Sequence, residues 1–224
     1  MQFPAFYVTG TDTGIGKTVA STALLHAVRA RGHTAVGMKP VASGCVATPQ
    51  GWHNEDALAL QAASQPQPDY PTLNPYALPA ALAPELAAAD VGVTLSLAPL
   101  QQAFAQLRAQ AEVVVVEGVG GWAAPLSAQL DQADLVRALQ LPVVLVVGVR
   151  LGCINHARLT AAAIAADGLR CIGWIANEID PQMERIEDNI RMLGQRLAMP
   201  CWGRIPWRPN AQAEGLAQHI CLPE

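Results

Sequence analysis

Hydrophobic residues fall along this chain in two alternating kinds of run. Short apolar, β-rich stretches lie at residues 5–9, 34–38, 113–116, 143–149, 171–176 and 201–204. Several are apolar at every position, as in "VVVV" and "LPVVLVVGV", which suits parallel strands covered on both faces. Between them the apolar positions recur at helical spacing. Residues 18–30 carry Val19, Ala23, Leu24, Ala27 and Val28, then stop at Arg29, Arg31 and Gly32. Residues 155–166 end before Gly168 in the same way. Residues 181–197 place Met183, Ile186, Ile190, Leu193 and Leu197 on one face. Strand–helix alternation of this kind predicts an α/β fold, a doubly wound, mostly parallel sheet with helices on both faces. The proline-rich stretch 65–84 reads as an irregular surface insertion, since no second core follows it. One domain over residues 1–224 is expected.

Composition narrows the classes. Hydrophobic residues make up 51% and charged residues 14%, so the chain is globular and not disordered. The formal net charge is -4 with Lys and Arg scattered, and no nucleic-acid footprint is expected. Five cysteines without paired spacing read as reduced thiols of a cytoplasmic protein and not as a metal site. The opening "MQFPAFYVTG" has no basic segment followed by a long apolar run, so no signal peptide is read. The longest apolar stretch is too short to cross a bilayer, and no membrane partner is expected.

The chemistry begins at "VTGTDTGIGKTVAS", residues 8–21. A strand, a glycine-rich turn and Lys-Thr opening a helix form the setting of a phosphate-binding loop. The spacing is unusual, because five residues separate Gly10 from Gly16 where the common pattern has four. Backbone N–H groups of Gly14, Ile15 and Gly16, with the helix N-terminus, would attract phosphate oxygens. Lys17 would reach the terminal phosphates and the Thr18 hydroxyl would coordinate Mg²⁺. In "VVVVEGVGGW", Glu117 leaves the carboxyl end of a buried strand, where open α/β sheets bind ligands, and the glycines after it allow close backbone approach. Lys39 ends another strand in "AVGMKPVASG", ahead of Ser43. Alone it reads as a solvated lysine; beside the other motifs it reads as a second cation of the same crevice. Asp56, two residues after Asn54 in "WHNEDALAL", is equally well a metal ligand or a first-turn acid behind a helix cap. His53 has no evident partner.

Together these motifs resemble the dethiobiotin synthetase family, within the P-loop NTPase superfamily. "VTGTDTGIGKTVAS", "KPVASG", "NEDALALQ", "VVEGVGGWAAPLS", "LPVVLVVGVRLGCINHARLT", "IGWIANEID" and "GRIPW" follow that family's order across nearly the whole chain. The loop with its extra residue and the E-G-[AV]-G-G-W stretch are the family's own forms. The resemblance implies an ATP-dependent ligase of biotin biosynthesis that takes 7,8-diaminononanoate, CO2 and ATP and closes the ureido ring of dethiobiotin. Its route runs through a carbamate and a carbamic–phosphoric anhydride. It implies Mg²⁺ held by Thr18, Asp56 and Glu117, and chemistry carried by Lys17 and Lys39. ATP would lie along Gly14, Ile15, Gly16, Lys17, Thr18 and Val19, with Gly118, Val119 and Gly120 close by. Asn177, Glu178, Pro206 and Trp207 would border its base. Thr13 and Ser43 match positions at the diamine or carbamate. Gly152, Cys153 and Asn155 match a helix start that receives the substrate carboxylate across a homodimer interface. After "IPW" this chain reads "RPNAQAEG"; Arg208 replaces an apolar residue, and Glu214 is the nearest counterpart of the family's nucleotide-contacting Glu. Two alternatives share the loop: another amidoligase of the superfamily, and a switch ATPase of the septum-site or partition type. The latter carry an extra lysine early in the loop, where this chain has Thr11 and Asp12.

Overall fold

The computed structural model describes residues 3–208 and 215–223 with their side chains, and 213–214 as backbone. Six strands form one sheet: β1 (Ala5–Gly10), β2 (Ala35–Met38), β3 (Val113–Glu117), β4 (Val143–Val149), β5 (Cys171–Glu178) and β6 (Cys201–Ile205). Their order is β6–β5–β4–β1–β3–β2, and every pairing is parallel. Each connection therefore crosses a face of the sheet. The helices that do so are α1 (Lys17–Ala30), α2 (Glu55–Ala63), α3 (Leu97–Gln110), α4 (Gln132–Ala138), α5 (Cys153–Ala166) and α6 (Ile186–Arg196).

Burial on both faces explains why the strands read as unbroken apolar runs. Alternate residues of β3 enter different cores. Val113 and Val115 pack with Leu24, Leu25 and Leu60 of α1 and α2. Val114 and Val116 pack with Leu100, Leu107 and Leu135 of α3 and α4. Farther along that second face, Leu145 and Val147 meet Ala157 of α5 and Leu193 of α6. Each of these valines is worth roughly 1.5–3 kcal/mol relative to an exposed one.

The register fixes what stands beside what. Val8 of β1 is level with Glu117, and Met38 of β2 is level with Val116. Lys39, the next residue, is therefore level with Glu117. Gly148 pairs with Asn177, and Asn177 with Ile205. All these positions lie at the carboxyl end of the sheet.

Two sequence expectations need correction. Residues 65–84 are not an irregular insertion. They contain a helical turn (Tyr70–Leu73) capped by Asp69 and a strand (Tyr76–Leu78) paired in parallel with Val41–Ser43. Leu73 and Leu78 are buried. Prolines bar long elements there, yet short capped ones still pack. Helix α6 begins at Ile186 and not at 181, because Arg185 takes a left-handed φ of 56° that breaks the preceding turn.

Candidate active site

The loop after β1 is held from several sides. The Thr11 N–H donates to the Val146 carbonyl at 3.1 Å, and the Asp12 carboxylate accepts from the Thr13 N–H at 2.7 Å. Its other oxygen receives Arg150 at 2.6 Å. Gly16 begins α1 with φ of 83°, and a Cβ there would stand 2.1 Å from the Asn177 amide nitrogen. Only glycine fits both the backbone angle and the space. That amide donates to the Ile15 carbonyl at 2.8 Å. The free N–H groups at the start of α1 thus face the crevice, the usual cradle for an anion.

Lys17 is buried, and among the described residues its ammonium has one protein partner, the Asp12 carbonyl at 2.9 Å. Burial, and then the nearby Lys39 charge, pull its pKa down to about 8. Its charge is under-compensated by protein, and an anion at the start of α1 would offset it.

Lys39 is in the opposite condition. Its Nζ donates to Glu117 Oε1 at 2.6 Å, Asp56 Oδ2 at 3.0 Å and the Gly118 carbonyl at 3.2 Å. Burial opposes its charge, but Glu117 and Asp56 outweigh that and raise its pKa. Burial likewise opposes ionisation of Asp56, and Lys39 overrides it, holding the carboxyl below its ordinary value. The Asn54 side chain caps α2 by accepting from the Asp56 and Ala57 N–H groups. So Asp56 is a first-turn acid and a member of the cluster at once. Glu117 is 0% exposed. Its Oε1 also accepts the Thr18 hydroxyl at 2.8 Å, while Oε2 has no hydrogen-bond partner among the described residues. A buried carboxylate oxygen without a donor costs several kcal/mol, on the order of 1–3 or more. A divalent cation held by Thr18, Asp56 and Glu117 would give the Glu117 carboxylate a further partner. Two carboxylates and a hydroxyl are a donor set suited to Mg²⁺ that also binds phosphate oxygens.

Thr13, Gly14, Gly16, Lys17, Thr18, Val19, Lys39, Ser43, Asp56, Val119 and Gly120 line one cavity of about 400 Å³. Asn54 and Glu55 complete it. A larger hollow, about 670 Å³, opens at the opposite end of the sheet beside Cys171, Pro200 and Trp202. It lacks both the loop and the carboxylates, so size does not identify the site here.

The remaining residues divide. Asn177, buried under the loop, has its amide nitrogen engaged by Ile15. Glu178 receives Arg204 on one oxygen and the Trp207 N–H at 3.4 Å on the other, which ties the turn after β6 to β5. Pro206 is half-buried; Trp207 and Arg208 are exposed at this end of the sheet. The side chain of Glu214 lies outside the described residues. Gly152, Cys153 and Asn155 do not line the cavity. Gly152 starts α5 with φ of 93°, Cys153 is buried, and neighbouring Leu151 is 90% exposed. All five cysteines are free thiols, and His53 packs its ring on Tyr70. Sequence reasoning overlooked Arg150, although it follows a strand's carboxyl end, the position that had singled out Glu117. It also overlooked Asn74, whose amide donates to the Lys39 carbonyl at 2.7 Å and holds that residue from behind.

Comparison with known proteins bears on the family and the fold. The family model described as "AAA domain" matches residues 4–215. The chain is 98% identical to the ATP-dependent dethiobiotin synthetase BioD of Xanthomonas campestris pv. campestris (strain 8004), covering all of both chains. It is 69% identical to the enzyme of that name from Xylella fastidiosa (strain 9a5c), over 93% of this chain and 92% of the other. Among solved structures, the MinC:MinD cell division protein complex of Aquifex aeolicus superimposes with a TM-score of 0.56 at 12% identity, over 97% of this chain and 86% of that one. The signal recognition particle receptor FtsY of Elizabethkingia anophelis gives 0.55 at 16% identity, over 96% and 64%. Those two likenesses concern the P-loop NTPase fold alone. Sequence identity along the full length decides the family: this chain belongs to the ATP-dependent dethiobiotin synthetases.

Proposed function

We propose that the Lys17–Lys39–Glu117 crevice converts 7,8-diaminononanoate, CO2 and ATP into dethiobiotin, ADP and phosphate. As a family member the chain is an ATP-dependent ligase of biotin biosynthesis. The steps and residue roles follow from the resemblance and from the chemistry of the cluster. One amine of the diamine adds to CO2 and loses a proton, forming a carbamate. A carbamate oxygen attacks the γ-phosphorus, and the bond to ADP breaks. The second amine attacks the activated carbonyl and expels phosphate, closing the five-membered ring.

The first barrier is the meeting of two anions, so fixed positive charge must lie between them. Lys17 approaches from the phosphate loop and Lys39 from β2. The N–H groups of Gly14, Ile15 and Gly16 hold the phosphates, while Thr13 and Ser43 border the reacting amines. Mg²⁺ at Thr18, Asp56 and Glu117 would supply charge neutralisation on the phosphate oxygens. By the resemblance, Asn177, Glu178, Pro206, Trp207 and Arg208 would border the base, as would Glu214, whose side chain lies outside the described residues. Gly152, Cys153 and Asn155 lie away from the cavity, which supports a homodimer in which they serve the other copy's substrate carboxylate. Among the described residues no helix is long and apolar enough to cross a membrane. A cytoplasmic enzyme without membrane or nucleic-acid partners fits this reading.

The observation that carries the proposal is Lys39 bonded at 2.6 Å to Glu117, whose second oxygen is buried without a partner among the described residues. Glu117→Gln tests it. Labelled bicarbonate incorporation should be abolished with the circular dichroism spectrum unchanged. Full activity of the variant at limiting Mg²⁺ would remove Glu117 from the site.

A further inference from the structure

Beneath the crevice lies a fully buried amide. Gln132 is 0% exposed and is the first residue of α4. Its Oε1 accepts the Tyr7 hydroxyl at 2.6 Å and the Val119 N–H at 3.2 Å. Its Nε2 donates to the carbonyls of Gly121 at 2.6 Å, Trp122 at 3.4 Å and Ala124 at 3.4 Å. The orientation is unambiguous: an N–H can only donate and a carbonyl can only accept, so the flipped amide would oppose like groups on both sides. Burial, then the charge of Glu117, push the Tyr7 phenol well above its ordinary pKa. The hydroxyl therefore keeps its proton for Oε1.

These contacts converge on the segment that leaves Glu117. A Cβ on Gly118 would stand 2.4 Å from the Tyr7 oxygen and 2.6 Å from Gln132 Oε1. The backbone thus rests directly on the Tyr7–Gln132 pair. From above, Lys39 holds the Gly118 carbonyl, and Val119 and Gly120 form part of the cavity wall. At its far end the loop is tied by the Trp122 indole N–H to Asp167 at 2.7 Å. Gln132 is itself held in place, because the Asp134 carboxylate accepts the Asp131 N–H at 2.9 Å across the start of α4.

We infer that Gln132 is a positioning residue, which sets the height of residues 118–121 and through them the place of Glu117 and Lys39 against the reacting groups. It does not touch the cavity, so its effect passes through the loop. The inference rests on residues 117–121 forming part of the active site. A purely structural Gln132 would matter only as a satisfied core amide, and the two roles separate in a double variant. Gln132→Met keeps the length, removes all five hydrogen bonds and strands the Tyr7 hydroxyl. Adding Tyr7→Phe removes that stranded group but does not restore the loop contacts.

The experiment compares kcat, the KM for ATP and the melting temperature for Tyr7→Phe, Gln132→Met and the double variant. The double variant should regain melting temperature over Gln132→Met. Its kcat should stay about tenfold or more below that of Tyr7→Phe, the scale of a small misplacement of reacting groups. The KM for ATP should change by less than about threefold, because the loop after β1 is untouched. Recovery of kcat together with melting temperature would overturn the inference. If Gln132→Met does not accumulate, Gln132→Glu keeps the acceptor for Tyr7 and Val119 and offers at most one hydrogen to the three carbonyls. It should fold with the same selective kcat loss, and wild-type kcat would refute the role. Glu117→Gln is the control. Its inactivity alongside a double variant equal to Tyr7→Phe would discard Gln132 alone, whereas an active Glu117→Gln would discard the placement of the whole loop.

Discussion

Replacing Lys39 by Gln removes the charge and keeps most of the stem, so it separates electrostatics from packing. The structure supplies two magnitudes. Lys39 is 3% exposed and Glu117 0%, and stranding one member of a buried ion pair costs about 3–5 kcal/mol. Two features place this case at the lower end: the Thr18 hydroxyl still bonds Glu117, and the Asp56 side chain, 38% exposed, is rescued by water. At about 3 kcal/mol, and 2–4 °C per kcal/mol for a chain of this size, the melting temperature should fall by roughly 6–12 °C. The second magnitude is catalytic. A charge placed where carbamate meets γ-phosphate matters most as charge shifts in the transition state, and its loss should lower kcat by about 10²–10³. ATP affinity should change by less than about threefold, because Lys17 and the loop N–H groups remain. Calorimetry measures ATP binding, labelled-carbon incorporation measures ring closure, and both are run well below the variant's midpoint. Loss of ATP affinity in proportion to turnover would make Lys39 an ordinary phosphate ligand. An unchanged melting temperature with unchanged kcat would refute the ion-pair reasoning outright.

Three further outcomes are expected. Gly16→Ala puts a methyl 2.1 Å from the Asn177 amide at a φ of 83°, so ATP binding by calorimetry should weaken more than about tenfold, the 1–3 kcal/mol scale of local backbone strain; wild-type affinity would mean the loop tolerates a Cβ. If the proposed homodimer forms through the start of α5, Leu151, 90% exposed there, lies at its interface; light scattering should then show a dimer that Leu151→Asp converts to a monomer with lost turnover and retained ATP binding, and a fully active monomer would contradict the shared site. Glu112 is held below its ordinary carboxyl pKa by the Thr34 N–H and then by His33. A depressed folded pKa stabilises the fold above the unfolded value of about 4.3 and loses that contribution as pH falls through the folded one. Glu112→Gln should thus be less stable at neutral pH and converge with wild type in acid; parallel denaturation profiles at all pH values would exclude the contribution.

Much of the architecture was legible because both faces of the sheet are buried. All six strands of the sheet and the start of α1 lie within a few residues of where the apolar pattern put them. Legibility failed where local chemistry gave no periodic signal. Residues 65–84 offer prolines and two buried leucines too far apart to show a period, and their short strand exists only because Val41–Ser43 lies alongside. The break at Arg185 depends on one left-handed residue of ordinary type, which no pattern announces.

The site divides along the same line. Sequence alone determined that a phosphate loop stands between a strand and a helix, and that an acid follows four valines, because each motif is local and its chemistry needs consecutive residues. It also determined the family, through motifs spread over nearly the whole chain. Only the tertiary structure decided that Lys39 and Glu117, 78 positions apart, share one hydrogen bond, since that depends on β2 lying next to β3 and on their register. The same holds for Asp56, equally a first-turn acid or a metal ligand by sequence, which the packing of α2 turns toward Lys39. It holds for Arg150, Asn74 and Gln132, whose partners are set by strand order and loop height. Hydrophobic periodicity specifies which face of an element is buried. Which polar groups then meet across the carboxyl edge is settled by sheet topology, and that information is not local in the chain.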